Sequence, residues 1–198
     1  NPKDIVEGLG KGLRVIESFD DEHPRLTASQ AAAAAGLTRA AARRHLLSLV
    51  HFGFAATDGK QFWLLPRVLR LGQSYLSAAR LPRVVQPFIQ RVSQQCGETV
   101  NVSVLDGHEI VYVARSHPPR WISIGYQVGM RVPAHVVTPG VVILATRSQA
   151  EVQHWMEEHA FVAFTAQTVT TPEAFALEID TARRQGFWST TGQLDGAF

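Results

Sequence analysis

Three arginines, Arg39, Arg43 and Arg44, fall within six positions of an alanine-rich segment, "GLTRAAARRHLLSLVHFGF". A guanidinium fork can take O6 and N7 of a guanine together, or grip a phosphate, and intervening alanines let a backbone approach closely. The chemistry that suits this pattern is recognition of double-stranded DNA. A second stretch, "HVVTPGVV" (135–142), suits another task. A helix capped by Thr138, with Pro139 at its first position, leaves free N–H groups on Gly140 and Val141. With the Thr138 hydroxyl beside them, these make a cradle for a carboxylate. Arg115, closing "IVYVAR", can offer a bidentate guanidinium to a second anionic group, and His135 opens the same turn.

Each of these has a plainer reading. Arg39, Arg43 and Arg44 alone describe a solvated helix face. Thr138 and Pro139 describe a well-capped helix. Arg115 suits a structural ion pair with Glu98 or Glu109. His135 suits a hydrogen-bonded structural histidine or, less simply, a metal ligand. Cys96, the only cysteine, reads as a small buried apolar residue.

The elements that must position these residues decide between the readings. Residues 5–19 place Leu9, Leu13, Ile16 and Phe19 at helical spacing, which predicts one helix. Thr27 stands three residues before Gln30, a capping-box spacing, at the head of an alanine-rich helix that Gly36 ends. Thr38 caps a third helix running to about Phe52, closed by Gly53. Ala42, Leu46, Leu49 and Val50 are its inward stripe, leaving Arg39, Ala40, Arg43 and Arg44 outside. Asp58-Gly59 then predicts a hairpin with Lys60 and Gln61 at its tip. Three helices, a tight turn and a hairpin are the layout of a winged helix-turn-helix, whose third helix enters the major groove. Thr27, Gln30 and Thr38, at the helix starts, complete the candidate DNA contacts.

Charge supports that assignment. The 198 residues carry a formal net charge of only +2. From His23 to Arg80, however, eight basic residues face one acid, Asp58, whereas from Leu81 onward eight basic residues face ten acids. A basic N-terminal block points to an anionic polymer as its partner.

The rest of the chain reads as an α+β effector domain. Pro66 begins a linker helix, "RVLRLGQSYLSAA". Pro82 restarts the chain, Pro87 bends it, and "FIQRVSQQCG" is a helix ending at Gly97. The division expected is therefore 1–65, a linker at 66–81, and 82–198. "ETVNVSVLDGHEIVYVARS" alternates through a hairpin at Asp106-Gly107, and "WISIGYQVG" supplies a third antiparallel strand. Helices follow from Thr138, from Ser148 with Glu151, and from Thr171-Pro172, the last ending at Gly186.

Several classes are disfavoured. The longest aliphatic run, "VVILA", is far too short to cross a bilayer, so no membrane partner is expected. One cysteine allows no internal disulfide, and "NPKDIVEGLG" has no export signal, so a cytoplasmic protein is expected. The eight histidines form no HExxH, and no GxSxG, Walker or dinucleotide glycine pattern occurs. Neither enzyme activity, a cofactor nor a metal is expected. The competing reading is a small-molecule-binding or hydrolytic domain with a basic, protein-contacting N-terminus.

The stretches "GLRVIESF", "GLTRAAARRHLLSLVHFGF", "LPRVLRLGQSYL", "LDGHEIVYVAR", "VGMRVPAHVVTPGVVILA" and "RRQGF" resemble the IclR family of bacterial transcriptional regulators, in the family's order and over nearly the whole chain. "RAAARRHLLSL", "LPRVVQP" and "IVYVAR" resemble its PcaR, PcaU and PobR subgroup, which controls catabolism of aromatic acids such as protocatechuate and 4-hydroxybenzoate. The resemblance implies operator DNA as partner, a GAF-like effector domain taking a small carboxylate, and homodimers that can pair into tetramers. It also places the effector against the Thr138 turn, brings Thr190 to one side, and makes Trp121, Ile124 and Val132 the apolar wall. Family members continue past "GFWSTTGQLDGAF" into two more strands and a closing helix, so a piece of a longer protein is expected here.

Overall fold

The computed structural model describes residues 4–118 and 125–194. The chain separates into two compact units, Asn1–Tyr75 and Leu76–Phe198, and the division falls inside the helix read as a linker.

In the first unit, helix α1 (Glu7–Glu17) precedes a short strand β1 (Leu26–Thr27), α2 (Ala28–Ala35), α3 (Arg39–His51) and the hairpin β2 (Ala55–Thr57) and β3 (Gln61–Leu64). The Thr27/Gln30 capping box forms as its spacing predicts, and Gly36 ends α2 at φ 63°. Thr38 caps α3 through the Ala41 amide. Burying alanines on α2 lets it lie close to α3 over Leu46, with Val15, Leu26 and Phe62 completing the core. Arg14 of α1 donates to the Ala35 carbonyl, satisfying an end of α2. The helix forms as its spacing predicts, but not all of that spacing meets the core. Val15 is fully buried, while Leu9 and Leu13 are exposed together with Ile5 and Val6. Four apolar residues at helical spacing mark a face, but only the tertiary fold tells which face meets the core.

Helix α4 (Leu69–Ala78) follows a 3-10 turn at Pro66–Val68, as the linker reading expects. The next helix, α5 (Arg80–Cys96), runs through both prolines where a restart was expected. Pro82 sits in its first turn, where a missing N–H costs nothing, and Pro87 is accommodated inside it. Cys96 is exposed in its last turn, not buried.

The second unit holds a three-stranded antiparallel sheet in the order β4 (Val100–Asp106), β5 (Glu109–Ser116), β6 (Arg131–Pro133). The third strand thus lies beyond "WISIGYQVG", whose described part, 125–129, is a bend followed by a turn. Helix α5 packs on one face of the sheet. On the other lies α6 (Thr138–Ala145), backed by α8 (Pro172–Gln185), with α7 (Gln149–Glu158) contributing Val152 and Met156 to the same core around Phe175. The Ser148 capping box and the Thr171 cap form as read.

The closest backbone approach is at Gly140. A methyl group there would stand 1.9 Å from the Ala134 carbonyl oxygen, with backbone on both sides and nothing able to yield. Gly140→Ala is therefore expected to cost at least about 1–3 kcal/mol, lowering Tm by several degrees. Gly10→Ala, on α1 with nothing within 4 Å, is expected to act oppositely, gaining up to about 1 kcal/mol. Thermal melts followed by circular dichroism of the two variants check both signs.

Candidate functional site

On the first unit, Thr38, Arg39, Ala40, Arg43 and Arg44 all lie exposed along one side of α3, while Ala42 and Leu46 hold the opposite side in the core. That is the arrangement a groove-entering helix requires, because its packing does not draw on the residues it presents. Thr27 and Gln30 are committed to each other: the Gln30 carboxamide oxygen accepts from both the Thr27 amide and its hydroxyl. At the hairpin tip, Asp58 accepts from the amides of Lys60 and Gln61, and Gly59 takes φ 95°. Those two amides hold the Asp58 carboxyl below its usual range. The acid is thereby turned back into the turn, leaving Lys60 exposed at the tip. Arg25 lies 4.3 Å from the centre of the Trp63 ring, placing another cation on the hairpin.

The second unit holds a cavity of about 440 Å³ between the sheet and the start of α6. Tyr112 of β5 and Tyr126 form part of its wall, stacked at 4.7 Å with planes 8° apart. Burial, and secondarily Tyr126, push the Tyr112 hydroxyl well above its ordinary pKa, so it remains a donor at any physiological pH. Ser103 and Asn101 of β4, Thr138 and Pro139 at the head of α6, and Thr190, Gly192, Gln193 and Leu194 from the last described segment complete most of the lining.

Thr138, Pro139 and Thr190 are brought together as expected, but their chemistry differs from the expectation. Val137, not Thr138, is the N-cap of α6. The amides of Gly140 and Val141 are not free: both donate to the Val137 carbonyl, at 3.0 and 3.4 Å. The Thr138 hydroxyl instead accepts from the Thr190 amide at 3.2 Å and lies 3.2 Å from the Thr190 hydroxyl. The two threonines clamp the last segment onto the head of α6.

Arg115 is also corrected. A β-bulge on β5 pairs Ser103 with Tyr112 but Val102 with Ala114, which leaves Val113 opposite no residue. The shift turns Arg115 to the same sheet face as Asn101, and its guanidinium donates to the Tyr126 carbonyl. It thus supports the Tyr126 wall, and of the two acids foreseen as its partner, Glu98 or Glu109, Glu109 pairs with Arg131 at 2.7 Å. Val132 is buried beside Ile110 in the core next to the cavity and does not line it. His135 is fully buried but faces elsewhere, bonded to the Val162 carbonyl and to His159. Trp121 and Ile124 lie outside the described residues.

Sequence reasoning missed Tyr112, Tyr126, Asn101, Ser103 and Gln193. A signal for two of them was present: Asn101 and Ser103 are the polar alternates of β4, and the polar face of a strand beneath a helix has to line something.

Comparison with known proteins accords with both units. Residues 8–59 match the IclR helix-turn-helix domain, and residues 73–191 match the bacterial transcriptional regulator IclR C-terminal domain. The p-hydroxybenzoate hydroxylase transcriptional activator of Acinetobacter baylyi is 37% identical over 194 residues, covering 96% of this chain and 72% of its own. The crystal structure of a transcriptional regulator from Rhodococcus sp. RHA1 is 40% identical, with a TM-score of 0.77 over 96% of this chain and 76% of that one. The inducer-binding domain of the PobR transcription factor from Acinetobacter, a double mutant in complex with 3-hydroxybenzoic acid, is 31% identical with a TM-score of 0.54, covering 59% of this chain and 69% of that one. By its matched domains and by the identity of these relatives, the chain belongs to the IclR family of bacterial transcriptional regulators.

Proposed function

We propose that the chain is an effector-controlled, cytoplasmic regulator of genes for aromatic-acid catabolism, with α3 and the hairpin on operator DNA and a small aromatic carboxylate in the cavity. The observation that carries the effector reading is the lining itself. Stacked Tyr112 and Tyr126 offer a face to an aromatic ring, while Ser103, Thr138 and Thr190 offer hydroxyl donors beside the positive end of the α6 dipole. Among the described lining residues none is a lysine or arginine, so neutral donors would meet the carboxylate charge. The volume is that of a small-ligand site. Names of relatives agree: one activates p-hydroxybenzoate hydroxylase, and another domain holds 3-hydroxybenzoic acid.

Homodimerisation is part of the reading. Ile5, Val6, Leu9 and Leu13 form an apolar stripe on α1 left at 44–73% exposure. A contiguous exposed stripe of that kind suits a second copy of the same helix. The proposed division remains a DNA-binding part to residue 65, a linker at 66–81 and an effector part beyond.

Three measurements test these points. In thermal-shift assays, 4-hydroxybenzoate at about 100 times its Kd is expected to stabilise the protein by roughly 2.7 kcal/mol, a rise of a few degrees. Thr138→Val should remove most of that rise, and a flat response to all hydroxybenzoates would defeat the aromatic-acid reading alone. In DNA titrations, Arg39→Ala and Arg43→Ala should each cost about 1–3 kcal/mol and relax base preference. Losses of equal size on every sequence would assign them to phosphates. Leu9→Glu is expected to shift the protein to monomer in light scattering, and an unchanged dimer would move the interface elsewhere.

A further inference from the structure

A second cluster lies apart from the effector cavity. His108, His135 and His159 come together from the β4–β5 turn, the 3-10 turn before α6, and the end of α7. The His159 ring stands 5.1 Å from that of His108 and 4.6 Å from that of His135, and it stacks on Trp155 at 4.3 Å. All three histidines line a cavity of about 280 Å³.

The hydrogen bonds fix the tautomers. The Val162 carbonyl can only accept, so His135 donates to it from Nε2, at 3.1 Å. His135 Nδ1 is then an acceptor, and the partner 2.8 Å away, His159 Nε2, donates to it. His159 Nδ1 is left bare. It is buried, and so is His108 Nδ1, with no hydrogen-bond partner for either among the described residues. The chain from His159 through His135 to Val162 leaves one place for a further proton, which can be solvated only if the cluster opens. A proton added to the pair must appear as an N–H on His159 Nδ1, buried and aimed at no acceptor.

The loop held by this chain reaches the effector cavity. Val162 leads to Thr165 and Thr168, whose hydroxyls donate to the carbonyls of Gly192 and Gln193. Gly192 and Gln193 line the effector cavity.

We propose that His108, His135 and His159 form a proton-operated latch. When neutral, the cluster pins residues 159–164 and, through Thr165 and Thr168, the Gly192–Gln193 wall of the effector cavity. One proton added to it releases that loop and weakens effector binding. The latch stands on the cluster's own geometry, while its effect on ligand rests on the effector reading given above.

The charged groups facing the cluster do not offset this. Glu109 of β5 lies on the same cavity but is held by Arg131 of β6 at 2.7 Å. Glu158 of α7 is also there, 3.9 Å from the exposed His154. Other close groups are Phe161 and Phe164, which solvate no charge. Burial lowers both His135 and His159, the latter to about 4, with His135 and His108 adding repulsion. A histidine held below its unfolded pKa contributes its full stability above pH 6.5 and loses it as pH falls towards 4.

Hydrogen exchange of the full chain, corrected for intrinsic rates, tests this between pH 7.5 and 4.5. Opening of residues 160–168 should rise about tenfold per pH unit below 6.5, the slope of one proton, while α2 stays protected. His159→Phe, which keeps the stack on Trp155, and His159→Gln should both flatten that slope, and His154→Gln should leave it intact. A pH-independent loop in the parent protein, or an unaltered slope in both His159 variants, overturns the proposal. Binding of 4-hydroxybenzoate should weaken in parallel between pH 7.5 and 5.5 in the parent and not in His159→Phe. If that acid binds at no pH, the effector reading fails while the exchange data still decide the latch. If it binds equally across the range while the loop opens, the coupling is wrong.

Discussion

The approach of α6 to the backbone of Ala134, with no room for a methyl group at Gly140, is the constraint on which the second unit turns. It seats the first turn of α6 directly on the segment leaving β6. That places Val136, Val137 and Thr138 in one continuous wall opposite Ser103 and Tyr112. Any larger residue at 140 would lift the helix, and the cavity would lose its ceiling. The Thr138 hydroxyl could then no longer meet Thr190, and the last described segment would lose its tie to the helix. One missing Cβ therefore fixes the distance between sheet and helix, and the distance fixes the cavity.

A second theme is the separation of charge. The cations sit on a unit whose core is built from alanines and whose polar termini are capped by its own side chains. Arg39, Arg43 and Arg44 are consequently free of structural duty, and Arg14 and Arg25 carry it instead, one on a helix end and one on an indole. The cavity unit does the reverse. Three of the arginines around its cavity and core are engaged internally: Arg131 by Asp106 and Glu109, Arg183 by Asp180 and two carbonyls, Arg115 by Tyr126. Long-range attraction for a polyanion thus belongs to one unit and a short-range, uncharged pocket to the other.

Much of this was legible in residue order. Thr27 with Gln30, Thr38, Ser148 with Glu151 and the Asp-Gly turns are local devices, and local devices form wherever their spacing allows. What could not be read depends on relations between distant segments. Periodicity marked Leu9 and Leu13 as one face of α1 but could not say that Val15 takes the core. Arg115 looked like an anion ligand because its register was unknown, and a single bulged residue on β5 decides where it points. Thr138 looked like an N-cap because a threonine before Pro139 suits that place. The contact that captures its hydroxyl comes from Thr190, 52 residues away. Cys96 has the composition of a core residue and the position of a helix end, and position decided.

The lack of charged side chains among the described lining residues has a chemical consequence. An anion held by a buried arginine would be bound through charge and would accept almost any carboxylate. Among the described residues the polar lining is hydroxyls and carboxamides, and every one of them can donate and accept. A carboxylate would be met by donors from threonine and serine, a phenol by the same atoms with roles exchanged. Selectivity must then come from fit against the stacked tyrosines and from leaving no lining donor unsatisfied, because a buried unpaired polar group costs about 1–3 kcal/mol. That penalty falls on ligands lacking a ring substituent in the right place. It does not depend on their charge. A site of this kind discriminates among acids of equal charge, which is what a regulator of one catabolic route among several needs.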